Sequence, residues 1–387
     1  MPAVVSWRRP ALRTTTITTT EAPRRERVVL RIAVDANGAD AGPAEVARAA
    51  AMAVREDVEV ILFGPAQSLG DVPAGVSVVD APLSIAKAAD PARAVRGNPD
   101  ASVVQAWRAV RDGSADAIVS GGSTGAMLAA GLFSVKRARG IHRPALAILV
   151  PMPRRPFLLL DAGANVEVRA EHLVQFAHMG AAFMEAAMGM ARPRVALLSN
   201  GTEPGRGRPE VVEAHARLAA NGGTLDFVGN VEGFAVGSGA ADVIVADGFS
   251  GNVALKVMEG TSSALLGAVK AAAHSSLRSR AGGLLLRPAL GDLRAEVDPE
   301  RQGGAVLLGL RRPAVLPHGS FGAAGFARAI EVAARSIRED LGERTHQRLA
   351  LAGALRRGDG DASDAAASVP PDDDSSRGVP TRSSSPG

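Results

Sequence analysis

Short apolar runs and longer amphipathic stretches alternate along most of this chain. The runs at residues 28–34, 58–63, 117–119, 145–150, 157–160, 194–198 and 243–246 are dominated by Val, Ile, Leu and Ala, and each ends at Gly, Pro, Asp or Ser. That is the pattern of strands buried on both faces. Between them, residues 44–54, 102–110, 171–188 and 210–220 repeat apolar positions at helical spacing, and runs at 305–308 and 314–316 close the series. The strand–helix alternation predicts an α/β protein with a mainly parallel, doubly wound sheet and right-handed crossovers. One segment breaks the rhythm. Residues 253–297 are rich in Ala and Leu, and Gly282, Gly283 and Pro288 are expected to interrupt a helix there. We read an inserted helical hairpin with its tip at 282–288. Residues 1–27 and those from about 351 to 387 lack any apolar period and are expected to be disordered flanks of one domain, 28–350.

Composition narrows the picture. Aromatic residues make up 3% of the chain and hydrophobic residues 46%, so the core is expected to be aliphatic. Cysteine is absent, which excludes disulfides, Cys-ligated metals and a cysteine nucleophile. No metal or cofactor motif is present. No apolar run reaches the length of a membrane span and no signal core opens the chain, so a cytoplasmic location is expected. The formal charge is +4, carried almost wholly by Arg. Without a nucleic-acid motif this charge predicts no nucleic-acid partner.

Candidate chemistry lies where the strands end, since ligands of open α/β sheets bind beyond the carboxyl ends. Six ends carry small polar residues and glycine: residues 35–40, 120–126, 161–165, 199–203, 247–252 and 317–320. Together they predict one polar cleft. The turn Ser120-Gly-Gly-Ser-Thr-Gly-Ala126 runs into an apolar helix at 127–135. Its glycines let backbone N–H groups approach an anion, and a helix starting there adds free donors. No P-loop and no G-x-G-x-x-G follows any strand, so a nucleotide site is not expected. Residues 121–125 also fit G-x-S-x-G, the hydrolase elbow, although so short a pattern in a glycine-rich chain arises readily by chance.

Several of these segments resemble one known family, the bacterial phosphate acyltransferases of phospholipid synthesis (PlsX). Residues 34–40, Val-Asp-Ala-Asn-Gly-Ala-Asp, resemble its opening V-D-A-M-G-G-D. Residues 120–131 with Gly-Ile-His-Arg-Pro-Ala at 140–145 resemble its S-A-G-N-T-G-A and G-I-x-R-P-A. Residues 160–165, 227–232 and 247–260 are similar to L-D-x-G-A-N, F-x-G-N-V-E and D-G-F-x-G-N-V-x-L-K-x-x-E-G. Residues 303–309 and 318–320 resemble the closing G-G-A-x-L-L-G and H-G-S. The resemblance runs in one order from about 31 to 340. It implies transfer of a fatty acyl group from acyl carrier protein to inorganic phosphate. It also implies a homodimer, a three-layer α/β/α fold like isopropylmalate dehydrogenases and phosphotransacetylases, peripheral membrane contact, and a downstream glycerol-3-phosphate acyltransferase. Asn37, Ala39, Ala41 and Ser123 depart from the usual Met, Gly, His and Asn, which bears on site detail rather than fold. A related phosphotransacetylase-like enzyme, or an inactive carrier-binding or membrane-binding scaffold, is the alternative.

Ser120, Gly122, Ser123, Thr124 and Gly125, with Asp35 and Gly38, are assigned to phosphate binding. Lys256 is assigned to charge stabilisation, against the plain reading of a solvated lysine. Asn165, Asn200 and Asn252 are candidates to orient substrates or to cap helices. Asp161 and Asp247 are candidates to order donors or to serve only as caps. His318 is a candidate general base or a structural turn residue. Direct attack by phosphate is preferred to a Ser-acyl intermediate. Leu265, Leu266, Val269 and Ala272 are expected at a dimer interface. Residues 282–290, with Leu284, Leu285 and Leu286 among Arg278, Arg280, Arg287 and Arg294, are expected to touch anionic lipid. Lys136, Arg137, Arg139 and Arg143 are candidates to dock the acidic carrier protein, against the plain reading of a solvated helix end.

Overall fold

In the computed structural model, which describes residues 29–356 apart from Arg154 and Asn221, all nine predicted runs become strands. They are Leu30–Asp35 (β1), Val58–Gly64 (β2), Ala117–Ser120 (β4), Ala145–Val150 (β5), Phe157–Leu160 (β6), Arg194–Ser199 (β7), Val243–Val245 (β9), Ala305–Leu308 (β10) and Ala314–Leu316 (β11). Two further strands, Val76–Asp80 (β3) and Asp226–Glu232 (β8), form the edges of the sheet. β3 is largely exposed, β8 is mostly half-buried, and neither carries a continuous apolar run, so periodicity alone did not reveal them.

The strand order is β3-β2-β1-β4-β11-β10-β5-β6-β9-β7-β8. Most neighbours are parallel, but β10 is antiparallel to both β11 and β5, and β5 is antiparallel to β6. The sheet therefore reverses direction at its middle. The strands β1 to β4 and β11 run one way, whereas β6, β9, β7 and β8 run the other.

Helices cover both faces. Pro43–Ala53 (α1), Ala170–Met188 (α5), Pro209–Ala219 (α6), Ala323–Arg338 (α9) and Leu341–Leu351 (α10) enclose one aliphatic core layer. Pro91–Gly97 (α2), Ser102–Arg111 (α3) and Thr124–Ser134 (α4) enclose the other. The three-layer α/β/α architecture follows. Trp107 of α3 is fully buried and donates from its indole to Met127 O at 3.1 Å. A Cβ at Gly131 of α4 would lie 2.8 Å from that indole, so this glycine sets how closely α4 seats behind the Ser120 turn.

The hairpin consists of Gly248–His274 (α7) and Leu277–Glu296 (α8), joined at Ser275–Ser276. Its tip is not at 282–288, because Gly282, Gly283 and Pro288 lie inside α8. Ser276 caps α8 by accepting from Ser279 N at 3.1 Å, and a Cβ at Gly283 would sit 3.0 Å from Ala273 Cβ. Gly283 thus serves helix approach rather than interruption. Pro288 removes one helical N–H, but on an exposed helix water can satisfy the freed carbonyl. No helix among the described residues is long and apolar enough to cross a membrane.

The flank expected at 1–27 and the tail from 357 onward lie outside the described residues. Of the residues expected in that tail, Leu351 ends α10 and residues 352–356 follow it onto the body. Gln175 of α5 donates to both Gly140 O and Ala354 O at 2.8 Å, and Arg356 N donates to Gly140 O at 2.8 Å.

Helix α5 also sets a pH response. Burial pushes the His172 and His178 imidazoles down from 6.5 to about 4. The unfolded chain therefore takes up these protons first as the pH falls below 6.5, and stability declines from there to about pH 4. Thermal unfolding between pH 7 and pH 4 is expected to show a falling Tm, and His172→Asn to flatten part of that fall. An unchanged slope in this variant would remove His172 from the account.

Candidate active site

The reversal of the sheet divides the six polar strand ends into two groups. Asp35, Ser120 and the 317–320 turn project from one edge, and Asp161, Ser199 and Asp247 from the opposite edge. The six ends therefore do not all face one side of the sheet within a chain.

At the first edge, Asp35 is buried and accepts from Ser120 Oγ at 2.7 Å and from Asn37 N at 3.1 Å. A hydrogen bond from buried Ser102, the first residue of α3, completes its shell. Burial raises the Asp35 carboxyl above its usual range, with these hydrogen bonds opposing the rise. Ser120 Oγ in turn accepts from Gly122 N at 3.2 Å. A Cβ at Gly38 would lie 2.7 Å from Gly122 Cα and N, so two backbones touch there and only glycine fits. Ser123 caps α4 by accepting from Ala126 N at 3.2 Å. The amides of Thr124 and Gly125 are first-turn donors with no intrahelical acceptor. His318 joins this edge, since Gly319 O accepts from Asp40 N at 2.8 Å. Ser320 N donates to His318 Nδ1 at 3.3 Å, and Ser320 Oγ lies 2.7 Å from the same nitrogen. With Nδ1 engaged by Ser320, Nε2 is the ring nitrogen left for a ligand.

At the second edge, Asp161 is fully buried and accepts from the amides of Leu146, Gly163, Ala164 and Asn165 and from the Asn165 side chain, at 2.7–3.1 Å. Burial pushes its carboxyl up and these donors pull it down. Asn165 also donates to Pro144 O at 2.7 Å. Asp247 caps α7, accepting from Ser250 N at 2.9 Å, and its other oxygen binds the Arg208 guanidinium. Asp161, Asn165 and Asp247 thus order loops and leave little capacity for a ligand. Asn252 and Lys256, one turn apart on α7, are exposed beside them. Asn252 Nδ2 is 3.0 Å from where a Cβ on Gly163 would be, and Lys256 Nζ pairs with Glu259 at 2.7 Å. Asn200 is exposed on the loop after β7.

Asp35, Gly38, Ser120, Gly122, Ser123, Thr124, Gly125 and His318 are therefore brought together. Asp161, Asn165, Asp247, Asn252 and Lys256 form a separate group. Sequence reasoning missed Ser102, Ser320, Arg208 and Gln175. Each acts through a partner distant in the chain or within a local turn, and only Ser320 stands in a motif, as the last residue of the 318–320 segment. Ser123, the serine of the hydrolase-elbow pattern at 121–125, accepts from Ala126 N, and among the described residues no base takes its proton, so the pattern has no base-activated serine behind it. Among the described residues no group of three His, Asp or Glu side chains is placed to hold a metal.

A family described as "Fatty acid synthesis protein" matches residues 30–344. The phosphate acyltransferase of Moorella thermoacetica is 42% identical over 319 residues, covering 81% of this chain and 94% of that protein. The phosphate acyltransferase of Streptococcus pneumoniae is 41% identical over 318 residues, covering 80% and 95%. Among solved structures, a phosphotransacetylase from Streptococcus pyogenes superposes with a TM-score of 0.53 at 20% identity, covering 81% of this chain and 97% of that one. The EutD phosphotransacetylase of Staphylococcus aureus gives 0.51 at 18%, covering 80% and 94%. These two likenesses concern the fold.

Proposed function

Because this chain belongs to the fatty acid synthesis protein family that includes the phosphate acyltransferases, we propose that it transfers a fatty acyl group from acyl carrier protein to inorganic phosphate. The observation that carries the site assignment is the Asp35-ordered turn, whose Ser120, Gly122 and Gly38 backbones open onto the α4 N-terminus. Phosphate seats there against the Thr124 and Gly125 amides and the Ser123 hydroxyl, whose proton is free to point outward. His318, when its Nε2 carries a proton, supplies a further donor. A phosphate oxygen attacks the thioester carbonyl, the C–O bond forms, the C–S bond breaks, and the carrier thiolate leaves and takes a proton. Phosphate is already anionic, so placement and charge stabilisation contribute more than deprotonation. With no activated Ser at the turn, direct attack is favoured over an acyl-enzyme. Lys256 and Asn252 stand at the other edge, and in this arrangement a second copy of the chain brings them to the same reacting group.

Such a homodimer belongs to the same reading. Leu265 and Leu266 of α7 are 64% and 42% exposed, on a hairpin whose main contact is between its own two helices. Leu265→Glu/Leu266→Glu is expected to convert a dimer to a monomer by sedimentation velocity. Leu284, Leu285, Leu286 and Leu290 on the body of α8, with neighbouring arginines, suit a membrane surface, which would hand acyl phosphate to a glycerol-3-phosphate acyltransferase.

Purified protein, palmitoyl-acyl carrier protein and labelled phosphate are expected to give labelled acyl phosphate. Carrier binding without product would instead support the scaffold reading, and preference for a coenzyme A thioester a phosphotransacetylase-like enzyme. Ser123→Ala is expected to raise the phosphate KM about tenfold, as for one lost hydrogen bond to a charged group, and to cost about 1 kcal/mol of stability as a lost cap.

A further inference from the structure

The last described residue, Arg356, lies beside a cluster of basic side chains. Lys136, Arg139 and Arg143 are exposed, and Arg137 is half-buried with its guanidinium donating to His142 O. Arg311 donates to Arg137 O at 3.3 Å. The charges of Arg356 and Arg137 both act on His142, and that of Arg143 on His172, whose ring centroid is 5.6 Å from that of His142. Among the described residues no carboxylate forms an ion pair with Lys136, Arg137, Arg143, Arg311 or Arg356, whereas Arg208, Arg338 and Arg348 each have one. Glu171, the nearby acid, is paired with Arg169. Arg356 is held in this patch by its hydrogen bond to Gly140 O, with Leu355 packed on Gly140.

The next residues of the chain carry the complementary charge. Residues 359–374 contain six aspartates, Asp359, Asp361, Asp364, Asp372, Asp373 and Asp374, and no basic residue. Covalent geometry alone keeps Asp359, Asp361 and Asp364 within about 11, 18 and 29 Å of Arg356 Cα, at most 3.6 Å per residue. Tethering supplies an effective concentration that a free acidic partner must exceed.

We propose that the acidic segment 359–374 docks on the Lys136–Arg143 face of its own chain and competes there with an acidic macromolecular substrate. The identity of that substrate as acyl carrier protein rests on the proposed function; the docking of the segment does not. The face is continuous with the second edge, because Arg143 leads into Pro144, whose carbonyl holds Asn165. The segment therefore acts as a tethered decoy that sets the affinity for the charged donor and leaves phosphate and chemistry untouched. Salt screens both the docking and its rival.

Two measurements test this on the full-length chain. Carbodiimide joins a carboxylate to an amine in contact, and the chain has lysines only at 87, 136, 256 and 270. Cross-links from the segment to Lys136 are expected at low salt, and are expected to vanish at high salt. Their absence, or equal yields at Lys87, Lys256 and Lys270, overturns the docking without reference to activity. Second, Asp→Asn at all six positions is expected to lower the KM for the acyl carrier protein thioester about fivefold at low salt, the lower end of ordinary coupling between sites. The KM for phosphate and for an uncharged acyl-pantetheine thioester is expected to stay unchanged. An unaltered carrier KM at low salt overturns the competition. Turnover of the pantetheine thioester with none of the carrier thioester would remove the donor assignment while leaving the cross-linking result to decide the docking.

Discussion

Asp35→Ala is expected to lower kcat/KM for phosphate by about 100-fold, corresponding to about 3 kcal/mol of lost positioning. The carboxylate accepts from Ser120, Ser102 and the Asn37 amide in a site shielded from water. Each orphaned buried donor costs about 1–3 kcal/mol, and the turn can recover part of that only by moving. Movement of Ser120 releases Gly122 N, and Gly122 is the residue against which Gly38 packs. The loss is expected in phosphate kinetics, with the KM for the acyl donor within about twofold of wild type, since the donor makes no contact with this carboxylate in the proposed arrangement. Steady-state kinetics with both substrates varied decides the matter. A variant that folds, as judged by circular dichroism, and keeps its phosphate kcat/KM would falsify the placement of phosphate at this edge.

Gly251→Ala is expected to cost about 3–5 kcal/mol, or to prevent soluble expression, as the largest single-site changes do. A Cβ at position 251 would lie 2.0 Å from Asp161 O and 3.1 Å from Asp161 C. These are backbone atoms of a loop already fixed by five hydrogen bonds to the Asp161 carboxylate, so neither side can yield cheaply. The control is Gly267→Ala on the same helix, where nothing lies within 4 Å of the added methyl. There the ordinary helical preference for alanine is expected to add about 1 kcal/mol of stability. Urea unfolding of both variants measures the contrast. Similar midpoints would show that α7 is free to shift away from the Asp161 loop.

The strands of the sheet interior were legible because burial on both faces writes itself as an apolar run, as in 157–160 and 194–198. The edge strands β3 and β8 were not, because one face meets water and their residues look like loop. The hairpin was legible as an interruption of the rhythm, but its turn was misplaced. Gly283 and Pro288 signal a break only where backbone context punishes them, and on α8 one serves packing and the other faces solvent. The first-edge site was visible in its glycines and hydroxyls. Its organiser Ser102 was not, since only the folded chain carries that serine to Asp35. The two-edged arrangement was hidden for a deeper reason. Strand direction depends on pairing between β10, β5 and β6, and no local signal in those short runs says which way they lie.

The mid-sheet reversal has a thermodynamic consequence. In a single chain, Ser123 and Lys256 sit at opposite edges with no shared partner, so the free-energy effects of substituting them are expected to add. If two chains bring those edges to one reacting carbonyl, the same pair of substitutions becomes coupled, and the double variant loses less than the sum. The direction in which β5 and β6 run thus makes the coupling energy between two distant side chains a gauge of whether catalysis belongs to the protomer or to the pair.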